Sequence, residues 1–424
     1  VRARQPLLDA GRTDSLGTEA LLAQAVCLRK LNRVDESIAV LNKFLETKPV
    51  GPSLANGLYE LGMAYVEQKQ LDSAIAAFER VLKEVPDYPA KDKILYELGW
   101  AWADKKDSQK SIARFQELLD TAPKSEFAPE AMYQMAQQHY DAKRYDQAAP
   151  MYTSALSKAE DPSLKEKALY KLGWSLFQQE KYGDAAQEFR SQVDQFPQGD
   201  FIVDGYFMSA ECLFKQDKFG EALAGYQSAR QLLEKNAQAD VSEQVRTLIY
   251  LHGAQCLREQ KKWPECEAWL REIIARYPNS PYLSTVIFEL ATTKQNLNQT
   301  DEALRLFGEV ASKYRDELAA RARFMMGELY FSQRQFDKAI PEFQRVMFGY
   351  GAEKADGEIK NWQARGGFEA GRCSEALIQD LRGDARQKAL SIAKDFYNYV
   401  IDKHPTHEVV KQAQVRLNEL NKLR

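Results

Sequence analysis

Small and large apolar residues recur along this chain at a nearly constant interval. Small residues stand at positions 25, 62, 99, 136, 173 and 210, each 37 residues after the last, and the register continues at 254, 291, 327 and 371. In the first nine units a second compact residue follows twelve residues later and a large apolar residue four residues after that, as in Ala74 with Phe78. Such a fixed period indicates a stack of similar supersecondary units.

Each unit predicts a pair of α-helices. The four-residue step places the compact and the large residue on one face of a helix, and the twelve-residue gap leaves room for a turn before that helix. Small residues let two helices cross closely, while the large side chain fills the space beside the crossing. The ten units in register therefore predict an all-α chain.

Cap and breaker residues agree with these helix limits. In five units an aspartate stands just before the second-helix pattern, where a carboxylate can accept hydrogen bonds from unpaired backbone N–H groups. These aspartates are Asp35, Asp72, Asp146, Asp301 and Asp337. Prolines at 49, 86, 123, 197, 278 and 405 follow the second helices and are expected to end them.

One unit matches a known repeat motif at almost every position. The order Leu58, Leu61, Gly62, Tyr65, Ala74, Phe78 and Pro86 resembles the tetratricopeptide repeat (TPR). The resemblance implies an all-α solenoid of about ten helix pairs that form a right-handed superhelix, with the first helices on the concave side and a C-terminal capping helix. The period of 37 rather than the usual ~34 is similar to that of bacterial TPR proteins of the periplasm and outer membrane.

The register divides the chain into six segments. They are a flexible leader at 1–17, repeats one to six at 18–233, an irregular extension at 234–246, repeats seven to nine at 247–351, an elongated tenth repeat at 352–406 and a capping helix at 407–424. The extension either lengthens the neighbouring helices or forms a hinge. In the tenth repeat Ala393 and Tyr397 lie late, so either its helices are longer or a short helix intervenes. Because the chain does not begin with Met, we expect a processed product or a segment of something longer.

The first helices carry aromatic side chains at corresponding positions. We call the following nine residues the aromatic strip: Tyr59, Tyr96, Trp100, Tyr133, Tyr140, Tyr170, Trp174, Phe177 and Phe207. One interpretation is that these rings pack between successive first helices and belong to the core, as aromatic stripes at helical spacing usually do. The other is that they form a groove for a partner, because Tyr and Trp offer large rigid surfaces.

Composition and motifs exclude several functions. The charged residues, 58 Lys and Arg against 61 Asp and Glu, give a net charge of −3, which argues against a nucleic-acid-binding protein. No apolar segment is long enough to span a membrane. The four histidines and five cysteines form no metal-ligand pattern, and Cys256 with Cys266 is the only pair that we expect to be close enough for a disulfide. We therefore predict no enzyme activity, no catalytic or metal site and no cofactor.

These observations lead to a first functional hypothesis. We expect a protein-interaction scaffold that binds a peptide, a helix or a protein through the concave surface, as a monomer or as a subunit of a hetero-complex. The alternatives are the non-catalytic arm of a larger enzyme and a structural subunit of a large assembly. The resemblance favours an extracytoplasmic bacterial envelope complex over the cytoplasm, although unpaired cysteines argue against an oxidising compartment. The Asn and Lys positions of chaperone-binding TPR domains are not reproduced.

Overall fold

The computed structural model describes residues 15–235 and 241–423, and all regular secondary structure in these ranges is helical. The first helices of the ten repeats are α1 (Ser15–Lys30), α3 (Gly51–Glu67), α5 (Lys91–Asp104), α7 (Ala128–Asp141), α9 (Pro162–Gln178), α11 (Ile202–Phe214), α13 (Glu243–Glu259), α15 (Leu283–Asn296), α17 (Glu317–Ser332) and α19 (Gly357–Ile378). The second helices are α2 (Val34–Glu46), α4 (Leu71–Glu84), α6 (Ser108–Thr121), α8 (Tyr145–Lys158), α10 (Tyr182–Gln195), α12 (Phe219–Lys235), α14 (Trp263–Arg276), α16 (Thr300–Lys313), α18 (Phe336–Phe348) and α20 (Gly383–Lys403). A last helix, α21, spans Val410–Lys422.

The predicted order of ten helix pairs and a final helix is confirmed. Consecutive helices pack against one another from α1 to α10 and from α12 to α21. The chain forms two compact units, of which unit 1 ends at Cys212 and unit 2 begins at Leu213. The predicted hinge at 234–246 stays a prediction, since residues 236–240 lie outside the described ranges, as do residues 1–14 of the predicted leader.

The small residues lie where the two helices of a repeat cross, as predicted. A Cβ atom added to Gly62 would lie 2.4 Å from Cε1 of Phe78, and one added to Gly99 would lie 2.4 Å from Cε1 of Phe115. Both rings are fully buried. Because no side chain fits between the glycine and the ring, the alternation of small and large residues sets the distance between the helices.

A left-handed residue closes nine of the ten turns between first and second helices. In the second repeat Lys69 has a φ of 60°, its N–H donates to the carbonyl of Val66 at 2.8 Å, and the N–H of Gln70 donates to the carbonyl of Tyr65 at 2.8 Å. This is the Schellman motif, which satisfies the last carbonyls of a helix. The residues are Asn32, Lys69, Lys106, Lys143, Glu180, Asp217, Lys261, Asn298 and Arg334.

These turns correct the predicted N-caps. Asp35, Asp72, Asp146, Asp301 and Asp337 occupy the second position of their helices, and the residues at the N-cap make no side-chain capping bond. The Schellman turn starts each second helix earlier than the apolar pattern indicates, so the carboxylate falls inside the first turn. In that position the carboxylate still interacts favourably with the positive end of the helix dipole.

The tenth repeat is elongated because its helices are longer. Helix α19 has 22 residues and α20 has 21, and a 3-10 helix at Ala352–Lys354 precedes the pair. Gly371 lies against Tyr397, with 2.5 Å between an added Cβ and the ring. Helix α21 buries Ala413, Leu417 and Leu420 against this repeat and caps it as predicted.

Unit 2 contains a buried ammonium group that connects two repeats. The side chain of Lys294 on α15 is 5% exposed, and its Nζ lies 2.6 Å from Glu267 and 3.0 Å from Glu302. Arg271, which is half-exposed, pairs with the same two carboxylates. The charge of Lys294 is therefore compensated where water cannot reach it.

Candidate functional site

All nine residues of the aromatic strip lie on first helices of unit 1, from α3 to α11. Eight of them are half-buried, so each offers part of its ring to solvent. Phe207 is the exception, because it is only 6% exposed and belongs to the core. The candidate surface therefore runs along α3, α5, α7 and α9.

The inner side of the strip contacts the core ring of the same repeat. The ring centroids are 6.1 Å apart for Tyr59 and Phe78, and 5.4 Å apart for Tyr133 and Tyr152. The same contact joins Tyr96 to Phe115 at 6.2 Å and Tyr170 to Phe189 at 5.9 Å. These four strip tyrosines thus contact the core on one side and belong to the surface on the other.

Further aromatic contacts fix the outer rings. Tyr96 and Trp100 form an edge-on pair with 6.3 Å between their centroids, and Tyr170 and Trp174 form the same pair at the same distance. Trp174 also contacts Phe177 at 5.7 Å. Side chains held in this way lose little conformational entropy when a partner binds, which favours tight recognition.

Two linker phenylalanines that the sequence analysis missed extend the surface. Phe127 stacks on Tyr96 at 4.8 Å, and Phe201 stacks on Tyr170 at 4.5 Å. The signal was available, because both phenylalanines lie 31 residues after their tyrosine. The equivalent residue after Tyr133 is Leu164, whose side chain has no ring and helps to line a cleft of about 980 Å³ beside Tyr96.

A buried carboxylate holds the second of these linkers in place. Glu166 is buried and accepts hydrogen bonds from Nε2 of Gln192 at 2.9 Å and from the backbone N–H of Phe201 at 3.2 Å. A Cβ atom on Gly199 would lie 2.0 Å from the Glu166 carboxylate, so a larger residue there would displace this carboxylate from its present position. Glu166, Gln192 and Gly199 together therefore hold Phe201 in its position against Tyr170.

Charged groups accompany the rings. The ammonium of Lys93 lies 4.2 Å from the centre of the Tyr59 ring, and that of Lys171 lies 5.1 Å from the centre of the Tyr140 ring. The hydroxyl of Tyr59 donates a hydrogen bond to Glu97 at 3.5 Å, and burial raises the pKa of the Glu97 carboxyl. Burial also raises the pKa of Tyr133 to about 12. These tyrosines are neutral hydrogen-bond donors at physiological pH.

The cysteines form no disulfide. All five are free thiols, including Cys256 and Cys266, and four of the five are buried. Burial raises the pKa of Cys212 and of Cys373 to about 12 and that of Cys266 to about 11. Within the described residues no group of three or more His, Cys, Asp or Glu side chains could hold a metal ion, and no helix there combines the length and apolarity needed to cross a bilayer.

The repeated helix pairs with small-residue crossings and half-buried first-helix rings define an all-α repeat protein. A tetratricopeptide repeat family model matches residues 59–126 and 133–200, and another matches 19–49. The model for the ARM repeat of tetratricopeptide repeat protein 21 matches 205–340. The chain is a tetratricopeptide repeat protein, as its resemblance to this family implied.

Several solved structures are similar to this chain, and one of them has a TM-score above 0.5. The C-terminal part of a TPR protein from Cytophaga hutchinsonii is 18% identical, with a TM-score of 0.51 over 63% of this chain and 99% of that one. A TPR protein from Parabacteroides merdae is 16% identical, with a TM-score of 0.39 over 63% and 97%. YrrB, a TPR protein described as having an unusual peptide-binding site, is 19% identical, with a TM-score of 0.38 over 48% and 96%. No curated protein matches the chain.

Proposed function

We propose that this chain is a protein-interaction scaffold that holds a peptide, a helix or a folded partner against the first helices of unit 1. The observation that carries the proposal is the row of eight half-buried rings, five of which contact a core ring of their own repeat from behind. Rings of this kind supply large apolar contact areas at a small entropic cost, and Tyr and Trp are frequent among the residues that dominate binding energy.

The matching families support this function over catalysis. Every family model that matches describes a helical repeat. A repeat array instead offers a long surface built from equivalent positions.

The finer part of the proposal concerns the compartment. We propose a bacterial envelope complex on the basis of the 37-residue period and its similarity to periplasmic and outer-membrane TPR proteins. The chemistry of the cysteines is compatible with that location, because buried thiols whose pKa is raised contain little thiolate and resist oxidation. Cell fractionation of the tagged native protein tests this part, and recovery in the cytoplasm alone would refute it.

The scaffold function is tested by partner binding to strip variants. Crosslinking in native cells identifies the partner, and its affinity is then measured with the Trp100→Ala, Tyr140→Ala double variant. We expect a loss of at least about tenfold, since each ring is a candidate hot spot. The matched control replaces Gln116 and Arg190, two exposed side chains on the second helices α6 and α10, with alanine. Full affinity in the strip variant, or equal losses in both variants, would refute the assignment of the surface.

A further inference from the structure

The position 34 residues after each of the four strip tyrosines that contact a core ring carries a charge whose sign alternates between repeats. It holds Lys93 for Tyr59, Glu130 for Tyr96, Lys167 for Tyr133 and Asp204 for Tyr170. Lys93 shows where such a side chain can reach, because its ammonium lies 4.2 Å from the centre of the Tyr59 ring. The chain therefore already demonstrates that this place on a strip tyrosine accommodates a cation.

Repeats three and five share the same four groups. We call Tyr96, Trp100, Phe127 and Glu130 the first box, and Tyr170, Trp174, Phe201 and Asp204 the second box. The edge-on Tyr–Trp pairs have interplanar angles of 78° and 79°, and the stacked Tyr–Phe pairs lie 4.8 Å and 4.5 Å apart. Two sites with the same ring geometry and one carboxylate each thus occur two repeats apart.

The carboxylate of each box acts on its tyrosine. Burial and the nearby Glu130 raise the pKa of Tyr96, and burial and Asp204 raise that of Tyr170 to about 12. Glu130 accepts a hydrogen bond from Gln134 at 2.8 Å, and no ion pair of Glu130 occurs within the described residues. A cation placed over the Tyr96 ring would therefore find beside it a carboxylate that forms no ion pair within the described residues.

We propose that each box binds a cationic side chain, Arg or Lys, of the partner. The electron-rich faces of Tyr and Trp attract a cation, and the neighbouring carboxylate adds a favourable charge. Arginine suits the boxes better than lysine, because its planar guanidinium stacks on rings and bonds a carboxylate with two N–H groups. This inference rests on the proposed function, since Tyr96, Trp100, Tyr170 and Trp174 belong to the aromatic strip.

The intervening repeat gives the partner a spacing. There the corresponding charge is Lys167 and the linker side chain is Leu164, so neither the carboxylate nor the stacked ring is present. Successive first helices separated by an ordinary interhelical distance of about 10 Å place the two boxes about 20 Å apart. An extended segment rises about 3.3 Å per residue, so its two cationic residues should be separated by about five others.

Synthetic peptides test the charge requirement. The probe is a fluorescein-labelled Gly/Ser/Ala peptide that carries two arginines with about five residues between them. The comparison peptides replace both arginines with citrulline, which has the same shape without the charge, or with glutamate. NMR spectra of the full chain follow the indole N–H signals of Trp100 and Trp174. We expect the arginine peptide to shift both signals and to bind about tenfold more tightly than the citrulline peptide. Equal binding of the two peptides would overturn the proposal.

Variants locate the site. The Glu130→Lys substitution reproduces the Lys93–Tyr59 arrangement and should close the first box, so that the Trp100 signal no longer responds while the Trp174 signal still does. Glu130→Gln should weaken binding about threefold, as expected for the loss of one exposed charge contact. The matched control is Lys167→Gln at the same position of the intervening repeat, which should leave affinity unchanged. An unaltered Trp100 response in the Glu130→Lys variant, with a wild-type melting temperature, would overturn the assignment.

The outcomes separate this inference from the proposed function. If the native partner depends on the strip but the arginine peptide shifts neither indole signal, the cation preference is wrong and the scaffold function stands. If the native partner binds the strip variants with full affinity, the surface itself is wrong. Loss of native-partner binding in the Glu130→Lys variant, together with retention in Lys167→Gln, supports both.

Discussion

A single methyl group added at Gly99 should destabilise this protein, whereas the same addition at Gly220 should stabilise it. At Gly99 the new Cβ would lie 2.4–2.6 Å from three atoms of the Phe115 ring, and that ring is completely enclosed. At Gly220, in the first turn of α12, the new Cβ would meet nothing within 4 Å. The two substitutions are chemically identical and differ only in what surrounds them.

The expected magnitudes follow from this difference. Alanine gains up to about 1 kcal/mol over glycine in a helix, and this gain applies at both positions. At Gly99 the overlap exceeds 1 Å, so the upper end of the overpacking range, about 3 kcal/mol, opposes it and leaves a net loss of about 2 kcal/mol. At Gly220 the gain stands alone.

Urea denaturation followed by circular dichroism measures both variants on the full chain. A loss of about 2 kcal/mol lowers the midpoint by roughly 1 M when unfolding depends on urea with a slope of about 2 kcal/mol/M. The Gly99→Ala, Phe115→Leu double variant should recover part of the loss, because leucine vacates the space that the methyl needs. If Gly99→Ala unfolds at or above the midpoint of Gly220→Ala, the helix crossing does not depend on the small residue and the reasoning fails.

The packing determines three other outcomes. Replacing Lys294 with Met keeps the aliphatic volume but removes the buried charge, and we expect the free energy of unfolding to fall by about 2 kcal/mol. This is below the roughly 3–5 kcal/mol of a fully broken buried pair, because Arg271 still contacts both carboxylates. The exposed control Lys313→Met should melt at the wild-type temperature. Lys143→Val should destabilise by about 1–2 kcal/mol in urea unfolding, because a β-branched residue does not tolerate a φ of 58°, while Lys143→Asn should not destabilise. Iodoacetamide at about pH 8 should label only Cys27 in the folded chain, as read by mass spectrometry, because the other four thiols are buried and burial raises the pKa of Cys212, Cys266 and Cys373. Labelling of a buried cysteine would contradict this.

The helix pairs could be predicted from the sequence because close helix crossing demands small residues, and that demand leaves a visible period. The contact of Gly62 with Phe78 is one example. The turns left no comparable signal. Residues such as Lys69 and Glu180 adopt left-handed φ values there, although glycine is the residue expected at such positions. The misplaced N-caps are a direct result, because the turn geometry and not the aspartate decides where each second helix begins.

The candidate surface was only partly predictable for a different reason. Periodicity identifies the face of a helix but not the depth of a ring, so Phe207 looked equivalent to Tyr170 although it is buried. The linker rings were missed because they lie outside the helical pattern, and their positions depend on long-range contacts such as the one between Glu166 and the Phe201 backbone. Such contacts join residues that are 35 apart in sequence and leave no local periodicity.

The contact between strip tyrosines and core rings has a consequence for engineering. A substitution of Tyr96 or Tyr170 intended to change which partner is bound also removes support from Phe115 or Phe189, so altered selectivity and lost stability arrive together. Glu130 supports no core ring, so a substitution there should change binding alone. Libraries that aim to change the partner should therefore vary the charged positions beside the rings, such as Glu130, and keep the rings themselves.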